Sequence, residues 1–181
     1  MEGSLKDVNV AILAVDGFEQ VELTRPREAL AQQGARTALV SAAREPILGM
    51  HHIDKGDRFD VDLIFSEARA ADFDAVLLPG GVVNADEIRM HPAARDFVRA
   101  MQEQGKVIAV ICHGPWLLAS ADLLRGRTLT SWPSVQDDLR NAGAHWVDQE
   151  VVVDGNLVSS RKPDDIPAFN REMLRVIGAH R

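Results

Sequence analysis

Tyrosine is absent from the 181 residues, and cysteine occurs once. The first absence excludes phenol chemistry. The second excludes an internal disulfide, so a reducing compartment is expected and the chain is placed in the cytoplasm. No apolar run approaches the roughly 20 residues that span a bilayer, so no membrane contact is expected. The N-terminal stretch Met1–Asp7 is polar and lacks the apolar centre of a secretory signal. No basic stretch is present, and the net charge is −7, which opposes a nucleic-acid partner. Neither a G-x-G-x-x-G nor a P-loop pattern occurs, so no nucleotide cofactor is expected. His51 and His52 lack ligand spacing, while His91, His145 and His180 stand alone, so no metal is expected. Repeats, low-complexity tracts and linkers rich in Gly, Pro or Ser are missing too.

What is present is ordinary for a globular chain: 46% apolar and 26% charged residues. The length suits one domain, residues 1–181, with a substantial core. Short apolar runs read as strands over Asn9–Ala14, Arg36–Ser41, Asp74–Leu78, Val107–Ile111 and Arg127–Ser131. Helices are predicted over Glu19–Gln33, Pro92–Gln104 and Ser134–Asn141. Gly34 closes the first, and Pro26 kinks it or lies near its start. A last helix is predicted over Asp164–Ile177, with Asp164 as its cap. The alternating segment from Ile47 to Asp62 suggests a small hairpin excursion. Val151–Val153, Asp154-Gly155-Asn156 and Leu157–Ser159 form a second hairpin signal. Strands alternating with helices imply parallel pairing. The fold class is α/β: a three-layer α/β/α sandwich, flavodoxin-like, with a mostly parallel sheet and a C-terminal antiparallel hairpin.

Sites in open parallel sheets form beyond the carboxyl ends of the strands. Cys112 ends the Val107–Ile111 run, and His113-Gly114-Pro115 opens a helical stretch. A thiol at that turn feels the helix macrodipole and nearby N–H groups, which favour thiolate. His113 is its candidate base. Gly114 frees the turn, and Gly80 and Gly81, after Pro79, offer open N–H groups to a substrate oxygen. Glu19 and Glu22 lie one helical turn apart, so one of them can sit beside the thiol and donate to it. Trp116, Trp132 and Trp146 read as core or interface anchors.

Four blocks resemble the PfpI branch of the ThiJ/PfpI superfamily, itself similar to class I glutamine amidotransferase domains. They are DGFEQVEL around Glu22, DAVLLPGG ending at Gly81, AVICHGP around Cys112, and the stretch from Thr130 to Asp165. The resemblance implies that Cys112 is the nucleophile, His113 its partner and Glu22 the acid bonded to it. It also implies an oxyanion hole from the N–H groups of Gly81 and His113. An acid from a neighbouring subunit completes the site in such peptidases. Asp86 matches it best, with Glu87 beside it, and Trp132 stands where relatives carry tyrosine. Homodimers or larger homo-oligomers are implied.

Three functions follow, in order. The first is a cofactor-independent, cysteine-dependent stress enzyme acting on reactive aldehydes or their protein adducts, glyoxalase- or deglycase-like. The second is an oligomeric cysteine peptidase acting on peptides. The third is a non-catalytic oxidation sensor or stress chaperone.

Overall fold

Three segments, Asn9–Leu13, Ala75–Leu78 and Val107–Ile111, are apolar and buried almost throughout. Strands buried on both faces need covering layers above and below. The computed structural model, which describes residues 4–181, places the three side by side at the heart of one sheet. The first residues of the polar N-terminal stretch, 1–3, lie outside the described residues.

In chain order the first half comprises β1 (Asn9–Leu13), β2 (Phe18–Glu19), α1 (Gln20–Gln32), β3 (Arg36–Ser41), β4 (Ile47–His51), β5 (Asp54–Phe59), β6 (Leu63–Ile64), β7 (Ala75–Leu78) and α2 (Val82–Ile88). The second half comprises α3 (Pro92–Glu103), β8 (Val107–Ile111), α4 (Pro115–Ser120), β9 (Thr128–Leu129), α5 (Gln136–Asn141), β10 (His145–Trp146), β11 (Val152–Asp154), β12 (Leu157–Ser160) and α6 (Ile166–Ala179). The main sheet runs β11-β12-β8-β7-β1-β3-β6, parallel except for the β11–β12 hairpin at one edge. The mostly parallel three-layer α/β sandwich expected from the sequence is thus observed, C-terminal hairpin included.

Alternate strand residues feed two cores. Leu13, Leu78, Ile108 and Val110 pack against apolar residues of α2, α3, α4 and α5. Ile12, Leu77, Ala109 and Ile111 pack against α1 and α6. Each fully buried Leu or Ile contributes about 1.5–3 kcal/mol of transfer free energy, so the strand centres hold the layers together.

Several local expectations are corrected. The Arg127–Ser131 strand shrinks to two residues, and β9 pairs with β10 outside the main sheet. Pro26 lies well inside α1 rather than near its start. It deprives the Glu22 carbonyl of its usual helical donor, because proline has no N–H. Asp164 does not cap the last helix. A 3-10 turn at Pro163–Asp165 precedes α6, and the carboxylate at its end, Asp165, turns back to Arg161 at 2.9 and 3.0 Å. Helix α2 goes unread in the sequence, since its Val-Val start favours strand. The Ile47–Asp62 excursion is a hairpin, β4–β5.

Candidate active site

The sharp bend between β8 and α4 requires Cys112 to adopt φ +63°, a left-handed conformation costly for a residue with a Cβ. The bend is held from two sides: the Cys112 N–H donates to Ser160 O at 3.0 Å, and the Trp132 N–H donates to Cys112 O at 2.9 Å. Gly114 permits the close packing beneath it. A Cβ there would come within 2.7 Å of Val110 and 2.9 Å of the Leu78 and Ile111 carbonyls.

Helix α1 delivers Glu22 to the back of the thiol. This carboxyl is fully buried, adjoins the sulfur, and its Oε1 accepts the Gly80 N–H at 2.9 Å. Oε2 has no hydrogen-bond partner among the described residues. Burial, then the charge of Glu19, raises the Glu22 pKa to about 8, against the weaker pull of the Gly80 N–H and the thiol. Glu22 therefore carries a proton at neutral pH. Gly80 is required for this contact, because a Cβ would lie 2.6 Å from both Cys112 Cβ and Glu22 Oε1.

His113 Nδ1 is 3.3 Å from Cys112 Sγ. The ring is half-buried, and burial lowers its pKa, so it is neutral at pH 7 and able to accept a proton. Burial works against the thiolate expected from the sequence. It pushes the thiol pKa upward, although the N–H groups of Gly81 and His113 reach the sulfur and oppose this. Helix α4 has only six residues, too few for a strong dipole at its start.

These groups open into a cleft of about 220 Å³, lined also by Glu19, Gly81 and Trp132. Of the residues singled out in the sequence, Cys112, His113, Glu22, Glu19, Gly81 and Trp132 converge there. Gly80 and Gly114 do not line it. Their N–H groups are already spent, on Glu22 Oε1 and on Ile111 O, so they pack the site rather than bind in it. Asp86 and Glu87 sit exposed on α2, away from the cleft, and Glu87 lines a neighbouring hollow with His91.

Sequence reasoning missed the outer wall: Met50 from β4, His52 and Ile53 from the β4–β5 turn, Val82 and Val83 from α2, and Pro163. His52 is exposed and is held at the mouth by its backbone N–H, which donates to Glu19 Oε2 at 3.1 Å. It also missed Asn84, which is buried. Its Oδ1 accepts the Val15 N–H at 2.8 Å, and its Nδ2 donates to the carbonyls of Pro79 and Gly80. That one amide joins the loop after β1 to the loop after β7. An amide three residues past a Gly-Gly turn is the only sequence signal for it.

The same arrangement of elements recurs in known proteins. A deglycase of Pyrococcus abyssi is 44% identical over 94% of this chain and 99% of its own length. The deglycase PfpI of Pyrococcus furiosus is 41% identical over 94% and 99%. Among solved structures, DJ-1beta of Drosophila melanogaster is 26% identical, with a TM-score of 0.86 over 94% of this chain and 90% of that one. A two-domain protein of Anabaena variabilis, with DJ-1/ThiJ/PfpI-like and ferritin-like domains, is 36% identical, with a TM-score of 0.90. The match covers 95% of this chain and 48% of that longer one. The DJ-1/PfpI family profile matches residues 8–176, and with relatives above 40% identity across almost their whole length, this chain belongs to the DJ-1/PfpI family.

Proposed function

We propose that the chain is a cysteine-dependent hydrolase of the PfpI type that acts on reactive 2-oxoaldehydes or their protein adducts, and that it needs no cofactor. The observation that carries this reading is the flanking of Cys112 by a neutral imidazole on one side and a protonated carboxyl on the other, at the base of a small cleft. The deglycase names of the two Pyrococcus relatives support it.

The thiol needs no prior ionisation in this scheme. As Sγ adds to the aldehyde carbon, His113 Nδ1 takes its proton. The N–H groups of Gly81 and His113 are the donors for the oxyanion. With an amine adduct, the thiol displaces the amine, which leaves with a proton, and the same thiohemiacetal results. The thiohemiacetal oxygen takes the proton back from His113. The imidazole then accepts the C1 hydrogen as a proton, and its electron pair passes to the neighbouring carbonyl carbon as the carbonyl oxygen becomes a hydroxyl. Protonation of that carbon, with loss of the C1 hydroxyl proton, gives a thioester. Water releases the 2-hydroxy acid and restores the thiol. One carbon is oxidised as its neighbour is reduced, so no outside oxidant enters. Protonated Glu22 supports the developing sulfur charge without adding a second negative charge.

The test is methylglyoxal turnover by purified protein. The expected result is hydroxy-acid formation that Cys112→Ala abolishes; equal rates for the two proteins would remove the proposal.

A second reading, an oligomeric cysteine peptidase, is favoured by one observation: His113 Nε2 has no hydrogen-bond partner among the described residues. Asp86 or Glu87 of a second copy is the proposed acid. The mouth of the cleft suits coverage by a second copy, since Ile53, Val82 and Val83 are 91%, 52% and 57% exposed. Fluorogenic peptide assays on separated oligomer fractions, with Cys112→Ser as control, test it. Absence of cleavage in every fraction rejects it.

A further inference from the structure

A base that works beside a nucleophile needs something to hold its ring in place. Among the described residues no carboxylate does so for His113. Its Nδ1 faces Sγ at 3.3 Å, and no hydrogen bond reaches its other nitrogen among the described residues. Two indoles enclose the ring instead. Trp132 lies nearly parallel to it, with centroids 5.8 Å apart and planes at 21°. Trp116 meets it edge-on, with centroids 5.4 Å apart and planes at 69°. Both are preferred aromatic geometries.

Both tryptophans are anchored, Trp132 through its backbone and Trp116 through its indole. The Trp132 backbone N–H donates to Cys112 O, so the stacking residue and the nucleophile share one backbone link. Trp116 Nε1 donates to Asp138 Oδ2 at 2.9 Å. The Arg89 guanidinium sits 5.3 Å from the Trp116 ring and donates to Ser120 Oγ at 2.9 Å. The titratable and charged groups around the imidazole are therefore the Cys112 thiol at its side, Glu19, Glu22 and His52 across the cleft, and Arg89 and Asp138 behind Trp116.

We infer that Trp132 is a positioning residue: its stacked indole, backed by Trp116, keeps His113 Nδ1 turned toward Sγ, the task a carboxylate performs in a catalytic triad. The inference rests on His113 acting as the base of Cys112. It does not depend on which substrate the thiol attacks. Because Trp132 is 37% exposed and lines the cleft, it also contacts whatever enters. A test by turnover alone would therefore confuse positioning with binding.

The test is the rate of Cys112 alkylation by iodoacetamide, followed from mildly acid to mildly alkaline pH. Trp132→Phe keeps a flat ring and is expected to stay within about twofold of wild type, with the His113 inflection intact. Trp132→Ala is expected to lose about tenfold near neutral pH and to follow the profile of His113→Gln. A Trp132→Ala profile that keeps the inflection, whatever its absolute rate, overturns the inference. A second measurement uses the wild-type fold, in case the alanine variant is unstable. Trp132 emission, taken as wild type minus Trp132→Phe, is expected to fall as His113 gains a proton. Loss of that transition in His113→Gln supports the contact, and an unchanged transition refutes it. Alkylation requires no aldehyde, so failure here is distinguishable from failure of the proposed reaction.

Discussion

Replacing Glu22 by Gln isolates one proton. The Glu22 pKa rises from 4.5 in the open chain to about 8 in the fold, chiefly through burial. Between those values the folded state holds a proton that the unfolded state has lost. Stability contributed by this group is therefore complete below pH 4.5 and declines as pH rises through about 8. The slope is about 1.4 kcal/mol per pH unit, and the whole span is worth about 5 kcal/mol as an upper bound. Glutamine is close in shape, can still accept the Gly80 N–H, and carries no such proton. Urea unfolding of both proteins at a series of pH values gives the difference in free energy, in which most other titrating groups cancel. The expected difference moves steadily against wild type from mildly acid pH to about 8 and then flattens. Two parallel curves would mean that Glu22 is ionised at neutral pH, and the neutral carboxyl beside the sulfur would have to be abandoned.

Other outcomes follow from named contacts. Gly80→Ala forces a methyl against Cys112 and Glu22, and is expected to cost about 1–3 kcal/mol by thermal unfolding and to abolish aldehyde turnover. Asn84→Ala unpairs the buried Val15 N–H and the carbonyls of Pro79 and Gly80. A loss of about 1–3 kcal/mol in urea titrations is expected, with Cys112 alkylation becoming faster as the two loops part. Val83→Asp places a charge on the exposed apolar mouth. Light scattering should show a smaller assembly than wild type, with the monomer fold retained by circular dichroism, if a second copy covers that face.

The central strands of the main sheet were legible because their signal is local: Val107–Ile111 and Asp74–Leu78 are apolar runs ended by turn residues, whereas the two-residue edge strand β6 carries too short a signal to read. Cys112 and His113 were legible for a related reason, since both lie just past a strand end, whereas position left Glu19 and Glu22 open and only the family resemblance singled out Glu22. The wall of the cleft was not. Ile53 and His52 reach it only because Glu19 pins the β4–β5 turn and Gln20 clamps Asp57 at 2.8 Å, contacts between residues 33 and 37 apart in the chain. Asp164 misled because it has the residue type of a cap, while Arg161 claims the neighbouring Asp165 instead. At the thiol, the helix start that favours thiolate is visible in sequence, whereas the depth of burial that opposes it is not.

The most direct test of the account is to stop the reaction on the sulfur. Wild-type protein and Cys112→Ala are mixed briefly with methylglyoxal, quenched in acid and mapped by peptide mass. The account expects an acyl or thiohemiacetal adduct on the peptide bearing residue 112 in wild type only, rising and falling as the hydroxy acid accumulates. Turnover that proceeds with that peptide unmodified, or with modification confined to Lys and Arg, would contradict it.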